Sequence, residues 1–153
     1  MIRFVRRLAP IVIAIVVAFS LAGCAGKKKT PLDKMQAAFA DVRAEVQSVV
    51  VDPERAAQAD DLLEQLEQTF TESADSIQVH KERLRELNAD YDASRAVMEA
   101  EMELILSGME VNQQNVLAIR KQLTVLFTAE EWGQIEKAHS KALNAAVKAL
   151  DVT

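Results

Sequence analysis

The chain from Thr30 onward is almost free of residues that interrupt helices. Only two prolines and two glycines lie in this stretch: Pro31, Pro53, Gly108 and Gly133. Each proline stands where a helix would begin, a position at which its missing amide hydrogen costs no hydrogen bond. The apolar residues also recur at the three- and four-residue intervals of one helix face. These features predict an all-α fold over residues 31–153.

Two helix starts follow each other closely along the chain. Thr30 stands directly before a proline, with Asp33 three positions further on, so Thr30 is the predicted N-cap of a helix over residues 31–51. Asp52 stands before the next proline and is the predicted N-cap of a second helix. Together the two signals predict a sharp corner between helices at Asp52.

The second segment carries an apolar residue at every seventh position over six repeats: Leu63, Phe70, Ile77, Leu84, Tyr91, Met98 and Ile105. The companion position of the heptad is only half apolar, which favours an antiparallel bundle over a parallel two-stranded zipper. Because no Pro or Gly interrupts the segment, one long helix is predicted over residues 53–107. Weak helix formers at residues 69–76 and 88–92 are the predicted places for a kink or break.

This apolar seam is wider at its ends than in its middle. Four further apolar residues widen it near the two ends: Leu62, Leu66, Val97 and Leu104. We therefore predict burial at both ends of the seam. In the middle, Ser73, Ile77 and His80 are predicted to be exposed or to contact a partner, because a long apolar surface left in water drives association.

The segment Phe127-Thr128-Ala129-Glu130-Glu131-Trp132 is the strongest local helix start in the chain. Thr128 is the predicted N-cap, and Glu131 is predicted to accept a hydrogen bond from the Thr128 amide while Phe127 packs against Trp132. The last helix then has a narrow, Ala-rich apolar face that includes His139. The predicted fold is an elongated antiparallel helical bundle, similar to a coiled coil, with shorter helices packed on one long central helix.

The N-terminal part of the chain belongs to a different class of sequence. Three arginines precede an apolar run over residues 8–22. At about 1.5 Å per residue the run is too short to span a hydrocarbon core of roughly 30 Å. This pattern is typical of a secretory signal peptide. The run ends in Leu21-Ala22-Gly23-Cys24, which contains the only cysteine of the chain.

These four residues resemble the lipobox of bacterial lipoproteins, and all four positions match. The resemblance implies cleavage between Gly23 and Cys24, a diacylglyceryl group on the Cys24 thiol, and acylation of the new amino terminus, with palmitate as an expected fatty acid. The implied organisation is a signal peptide (1–23), a lipidated basic tether (24–30) and one helical domain (31–153). Because Ala25 rather than Asp follows the cysteine, the resemblance implies an outer-membrane location facing the periplasm.

The net charge of the chain restricts the classes of partner that it is expected to bind. The chain has 18 basic and 23 acidic residues, and a formal net charge of −5. An acidic chain without a basic face is not expected to bind nucleic acid. The three lysines at residues 27–29 lie where the anionic head groups of a membrane would be if Cys24 carries acyl chains. A plain solvated linker is the equally weighted alternative for this segment.

The sequence contains no recognisable catalytic motif. It lacks a Gly-x-Ser-x-Gly elbow, a glycine-rich phosphate loop, a His-Glu-x-x-His motif and a Cys-x-x-Cys motif. Glu99, Glu101 and Glu103 are spaced so that they diverge around a helix. His80 and His139 would share a metal only if their helices meet, and a structural role for both is favoured. We assign no catalytic residue, metal, cofactor or small-molecule substrate.

These features predict a lipid-anchored, non-enzymatic helical protein with a structural or protein-interaction role in the cell envelope. Its expected partners are the membrane, through the acyl chains on Cys24, and another envelope protein or a second copy of the chain. An alternative arises from residues 127–131, which resemble the helix starts of the Spy/CpxP-like periplasmic chaperones. That resemblance implies a client-binding chaperone or a stress- or metal-sensing module.

Overall fold

A computed structural model of the chain describes residues 29–150. Four helices account for nearly all of them: α1 (Pro31–Val49), α2 (Pro53–Ala89), α3 (Arg95–Leu126) and α4 (Ala129–Leu150). The described residues form no strand, so the predicted all-α class is confirmed. None of these four helices has an apolar stretch long enough to cross a membrane. The predicted signal peptide, Cys24 and most of the tether lie outside the described residues.

The first two helices begin where local side-chain chemistry predicts. The Thr30 hydroxyl accepts a hydrogen bond from the Asp33 amide (3.0 Å), and the Asp33 carboxylate accepts one from the Thr30 amide (2.7 Å). These hydrogen bonds with Thr30 lower the pKa of Asp33. At α2, the Asp52 carboxylate accepts from the Glu54 and Arg55 amides at 2.9 and 3.2 Å. Both N-caps satisfy amides that the helix itself leaves unbonded.

The predicted helix over residues 53–107 is instead divided into α2 and α3. Asp90 ends α2 and its carboxylate accepts a hydrogen bond from the Asp92 amide (3.0 Å), while Ser94 caps the start of α3. Short polar side chains of this kind compete with helical hydrogen bonds, and the break falls in one of the two weak segments. Tyr91 is fully exposed in the turn, and Gly108 lies inside α3.

Two contacts far apart along the helices fix the direction of α3 relative to α2. The Arg55 guanidinium donates to the Leu126 carbonyl oxygen (2.8 Å), and the His80 ring lies against the Glu101 carboxylate. The start of α2 is thus beside the end of α3, and the two helices run in opposite directions. Helix α1 packs on α4 and α2, and α4 also contacts α2.

The hydrophobic core occupies only one end of the α2–α3 pair. At about 1.5 Å per residue, α1 and α4 are roughly 28 and 33 Å long, whereas α2 is roughly 55 Å. The fully buried side chains of the core are Met35, Phe39, Val42, Val46, Leu63, Leu66, Leu123 and Ile135, together with three alanines, Ala59, Ala142 and Ala146. Beyond Phe70 on α2 and before Ile119 on α3, residues 71–118 form a two-helix projection that we call the arm.

The predicted burial at both ends of the seam is correct for one end only. Leu63 and Leu66 are buried in the core, but Val97 and Leu104 are exposed on the arm. The reason is the turn after Ala89: α3 begins with a new rotational phase, and α1 and α4 are too short to cover it. Within the arm, Ile77, Leu84, Met98 and Ile105 are half-buried, and only Leu87 is buried.

Candidate functional site

Three helices are joined at the start of α4. As predicted, the Thr128 hydroxyl accepts from the Glu131 amide (3.2 Å), and Glu131 accepts from the Thr128 amide (2.8 Å). The rings of Phe127 and Trp132 stack with centroids 6.0 Å apart, which confirms the predicted hydrophobic contact. Arg55 adds a contact that the sequence did not indicate, because its guanidinium donates to both carboxylate oxygens of Glu131 (2.8 and 3.0 Å).

The contacts among the three helices at the start of α4 are electrostatically well defined. The bidentate hydrogen bonds from Arg55, with further help from the Thr128 amide, lower the pKa of Glu131 to about 2. The same pair raises the pKa of Arg55. Both groups are therefore charged at every pH at which the protein would operate. These contacts position the three helices relative to one another. They leave no free group for chemistry at the start of α4.

We expect Thr128→Ala to lower the free energy of unfolding by about 1 kcal/mol, the usual cost of losing an N-cap. Thermal melts of the purified chain would measure this loss. Thr124→Ala is the matched control, since the Thr124 hydroxyl only donates to a carbonyl of its own helix. A midpoint that is unchanged for Thr128→Ala would contradict a stabilising role for the capping box.

The three predicted partner-contact residues lie together on the arm. Ser73, Ile77 and His80 line a cavity of about 210 Å³ between α2 and α3. His80 is not free, because its Nδ1 lies 2.6 Å from Oε1 of Glu101. Since both side chains are largely buried, this pair joins the two helices of the arm. His80 therefore has a partner within the chain, whereas Ser73 and Ile77 also border a second opening.

The second opening is a groove where the arm meets the core, which we call the junction groove. Its volume is about 500 Å³. Its principal lining residues come from three helices: Phe70, Ser73 and Ile77 of α2, Leu106, Met109, Val116 and Arg120 of α3, and Leu143, Val147 and Leu150 of α4. Leu106, Met109 and Val147 are more than half exposed. The groove thus presents an apolar, solvent-exposed surface next to the core.

The lining of the junction groove is mainly apolar. Its charged residues are Glu110 and Arg120, and its other walls are mainly apolar. Within residues 29–150 there is no group of three His, Cys, Asp or Glu side chains that could hold a metal ion. The neighbouring carboxylates are engaged separately, since Glu99 pairs with Arg95 (2.6 Å) and Glu101 contacts His80.

The start of α1 lies at the same end of the core as the junction groove. Pro31 borders a surface between α1 and α4 that also carries Lys34, Lys137, Lys141 and Lys148, which we call the lysine face. The sequence did not indicate this basic face, because its lysines come from two helices far apart along the chain. Val147 and Leu150, one and two residues from Lys148 in α4, line the groove. One cation of this face is paired, because the Lys141 ammonium donates to Asp41 (2.7 Å). The tether therefore joins the molecule close to the groove.

The second histidine lies in the core and does not line the groove. His139 is only 4 % exposed, and its ring is tilted against Trp132 with centroids 5.1 Å apart. Burial, together with the nearby Arg120 cation, lowers its pKa to about 4. Its Nε2 has no hydrogen-bond partner among the described residues. His139 is thus a neutral core residue, and it lies against different residues from those that contact His80.

Comparisons with protein-family models, curated proteins and solved structures find no match to this chain. Two features of the chain therefore bear on its function. The first is the N-terminal sequence pattern that ends at Cys24. The second is the geometry of the described helices, above all the junction groove, the lysine face and the arm.

Proposed function

We propose that this chain is a lipid-anchored, non-enzymatic helical protein that faces the periplasm and binds another envelope protein through the junction groove. The observation that carries the proposal is the groove itself. Leu106, Met109 and Val147 leave apolar surface in water directly beside a well-packed core. Exposed apolar patches on soluble domains are typical of interaction sites. An apolar helical segment of the partner is the occupant that such a groove would accept.

The proposed shape is an elongated antiparallel bundle whose long axis is the α2–α3 pair. Helices α1 and α4 pack on one end of that pair, and the arm extends from the other. In this arrangement the pair replaces the single central helix predicted from the sequence. An extended arm increases the distance from the anchor at which a partner can be contacted.

The proposed anchor explains the distribution of positive charge. The seven residues 24–30 can extend over about 24 Å at most, so lipid on Cys24 would hold the start of α1 near the membrane. The lysine face lies at this end of an otherwise acidic chain. Each lysine near an anionic leaflet adds about 1 kcal/mol of attraction. The groove would then open close to the membrane, where an envelope protein could reach it.

A client-binding chaperone is the second candidate. The observation that favours it is a pair of exposed methionines on α3: Met109 lines the groove, and Met102 lies about two turns before it. Flexible methionine side chains adapt to varied apolar surfaces and are frequent at promiscuous binding sites. The two candidates differ in the number of proteins that the groove would contact in cells: one discrete partner, or many unfolded clients.

The test is photo-crosslinking in intact bacteria with a photoreactive amino acid at Leu106. Val79 provides a matched control position, because the two side chains are 64 % and 67 % exposed but Val79 lies outside the groove. We expect one discrete adduct from position 106 and none from position 79. A broad smear from position 106 would favour the chaperone. Equal labelling at both positions would contradict a binding role for the groove.

The same strain tests the anchor through Cys24→Ser. We expect this variant to accumulate as an unprocessed precursor without acyl label, and to lose the adduct at position 106. The wild-type chain should fractionate with the outer membrane. Wild-type protein that is cut at another bond and recovered without lipid would contradict the anchor, whatever the crosslinking result.

A further inference from the structure

The lysine face is a compact basic surface on the outside of α1 and α4. Lys137, Lys141 and Lys148 follow one another at intervals of four and seven residues, which places them within about 40° of one another around α4. Lys34 of α1 lies beside them, and all four side chains are exposed. The face is therefore a row of cations that is open to solvent.

This surface points away from the hydrophobic core. The buried residues of α4 include His139, Ala142 and Ala146, which lie about 120 to 180° around the helix from the row of lysines. Helix α2 packs on both α1 and α4. The core and α2 thus lie on the other side of α4 from the lysines. A large, flat partner can therefore approach the lysine face without meeting α2.

Few carboxylates lie among these cations. The α4 sequence between Lys137 and Lys148 contains no acidic residue, and residues 27–34 contain four lysines and one aspartate. The nearest acidic residues in the described part of α4 are Glu130, about 10 Å before Lys137 along the axis, and Glu136, about 100° to its side. The lysine face thus carries a net positive charge in a chain whose formal net charge is −5.

Most of this positive charge is available to an outside partner. The Lys141 ammonium pairs with Asp41 (2.7 Å). Lys34, Lys137 and Lys148 make no ion pair with any residue of the described range 29–150. Three exposed cations without an internal counter-charge are suited to an anionic partner that reaches all of them at once.

Two further features favour a membrane surface as that partner. Pro31, the first residue of α1, borders the lysine face, so the tether and its three lysines lead to this surface. The leaflet that holds the tether is then the anionic surface within reach of the face. The arm, by contrast, contains ten acidic and four basic residues. An anionic leaflet therefore attracts the lysine face and repels the arm, which favours one orientation of the molecule.

Building on the proposed anchor, we propose that the lysine face docks on the anionic phospholipid head groups of the leaflet that holds the tether. Helices α1 and α4 then lie next to the lipid, and α2 lies on the side away from it. The groove residue Val147 lies about 100° around α4 from the row of lysines, so the junction groove opens to the side and not towards the lipid. Docking therefore presents the groove to proteins in or beside the same leaflet.

Protection of individual lysines from acetylation tests the docking. The full wild-type chain is purified in detergent and reconstituted into vesicles of phosphatidylcholine alone, or of phosphatidylcholine mixed with phosphatidylglycerol. A membrane-impermeant acetylating reagent is added, and mass spectrometry gives the reaction rate of each lysine. We expect Lys34, Lys137 and Lys148 to react about fivefold more slowly on the anionic vesicles. Lys121, which is exposed on α3, should react equally on both. High salt should remove the protection, because it screens exposed charges.

Matched charge variants separate this surface from the overall charge of the chain. Lys34→Gln combined with Lys148→Gln should abolish the protection of Lys137. Arg83→Gln combined with Arg85→Gln removes the same charge from the arm and should leave that protection in place. All four substituted side chains are exposed, and an unchanged helical signal would show that the variants fold.

Equal acetylation of the lysine face on the two kinds of vesicle, or equal slowing at Lys121, would overturn the docking proposal. Protection in intact cells but not on anionic vesicles would overturn it in favour of an acidic protein partner. The anchor is judged separately, from the acyl label on Cys24. Protection in a chain without that label would support docking and contradict the anchor, whereas a labelled chain without protection would contradict docking alone.

Discussion

Leu66→Ala is expected to lower the free energy of unfolding by about 2 to 5 kcal/mol, the range found when a buried leucine is truncated. Leu66 is 0 % exposed and belongs to the core formed by all four helices. The truncation removes its packing contacts and leaves a cavity that the surrounding helices can fill only in part. Urea melts of the purified chain would measure the loss.

Leu84→Ala is the matched control, because it removes the same atoms from the same helix within the arm. Leu84 is only half-buried and does not belong to the hydrophobic core, so we expect a loss of about 1 kcal/mol or less. Equal losses in the two variants would contradict the division of the molecule into a core and an arm. A dependence of the Leu84→Ala melt on protein concentration would instead indicate that a second copy covers the arm.

The helix starts could be predicted from the sequence because their chemistry is local. Thr30, Asp52 and Thr128 each satisfy amides within three residues, so the identity of the nearby side chains is sufficient. The turn between α2 and α3 was indicated less sharply. Several weak helix formers precede and follow it, and the heptad spacing continued through it, which favoured one helix over two.

The extent of the core could not be predicted, because it depends on which helix faces are covered. Helix α3 carries two apolar sets at seven-residue spacing, one represented by Ile105 and Ile119 and the other by Leu104 and Val111. Spacing alone does not identify the set that faces α2. The prediction for Val97 and Leu104 was wrong for this reason. Their exposure follows from the rotational phase that the turn gives to α3.

The sequence indicated only one wall of the junction groove. The narrowing of the seam near Ser73 and Ile77 indicated exposure there, and both residues do line the groove. Val147 and Leu150 complete its wall from α4, at least seventy residues further along the chain. Arg55 was missed for the same reason, since its contact with Glu131 joins residues 76 positions apart. Contacts of this range have no local sequence signal.

Acidification is expected to destabilise the fold through His139. In the folded chain the pKa of His139 is lowered from 6.5 to about 4, because the ring is buried and the Arg120 cation is near. The ring of the unfolded chain takes up a proton near pH 6.5, while the folded core excludes it. The unfolded chain therefore binds one more proton than the folded chain, and the free energy of unfolding falls as the pH is lowered.

The direction and the pH range follow from these two pKa values. Above pH 6.5 the ring is neutral in both states, and its contribution to stability is fully present. Between pH 6.5 and about 4 that contribution is lost, up to about 3 kcal/mol in total. Glu131 acts in a lower range, because its pKa changes from 4.5 to about 2 on folding, and its contribution is lost only as the pH falls through that range.

His139→Leu should therefore flatten the dependence of stability on pH between about 6.5 and 5, where Glu131 does not yet contribute. At neutral pH this variant should be as stable as the wild type or more so, since the Nε2 atom that it removes has no partner among the described residues. Urea melts at several pH values would measure both effects. His80→Gln, which changes the only other histidine, is the control and should leave the slope in place. A slope that persists in His139→Leu and disappears in His80→Gln would assign the acid sensitivity to the contact with Glu101 in the arm and contradict its origin in the core.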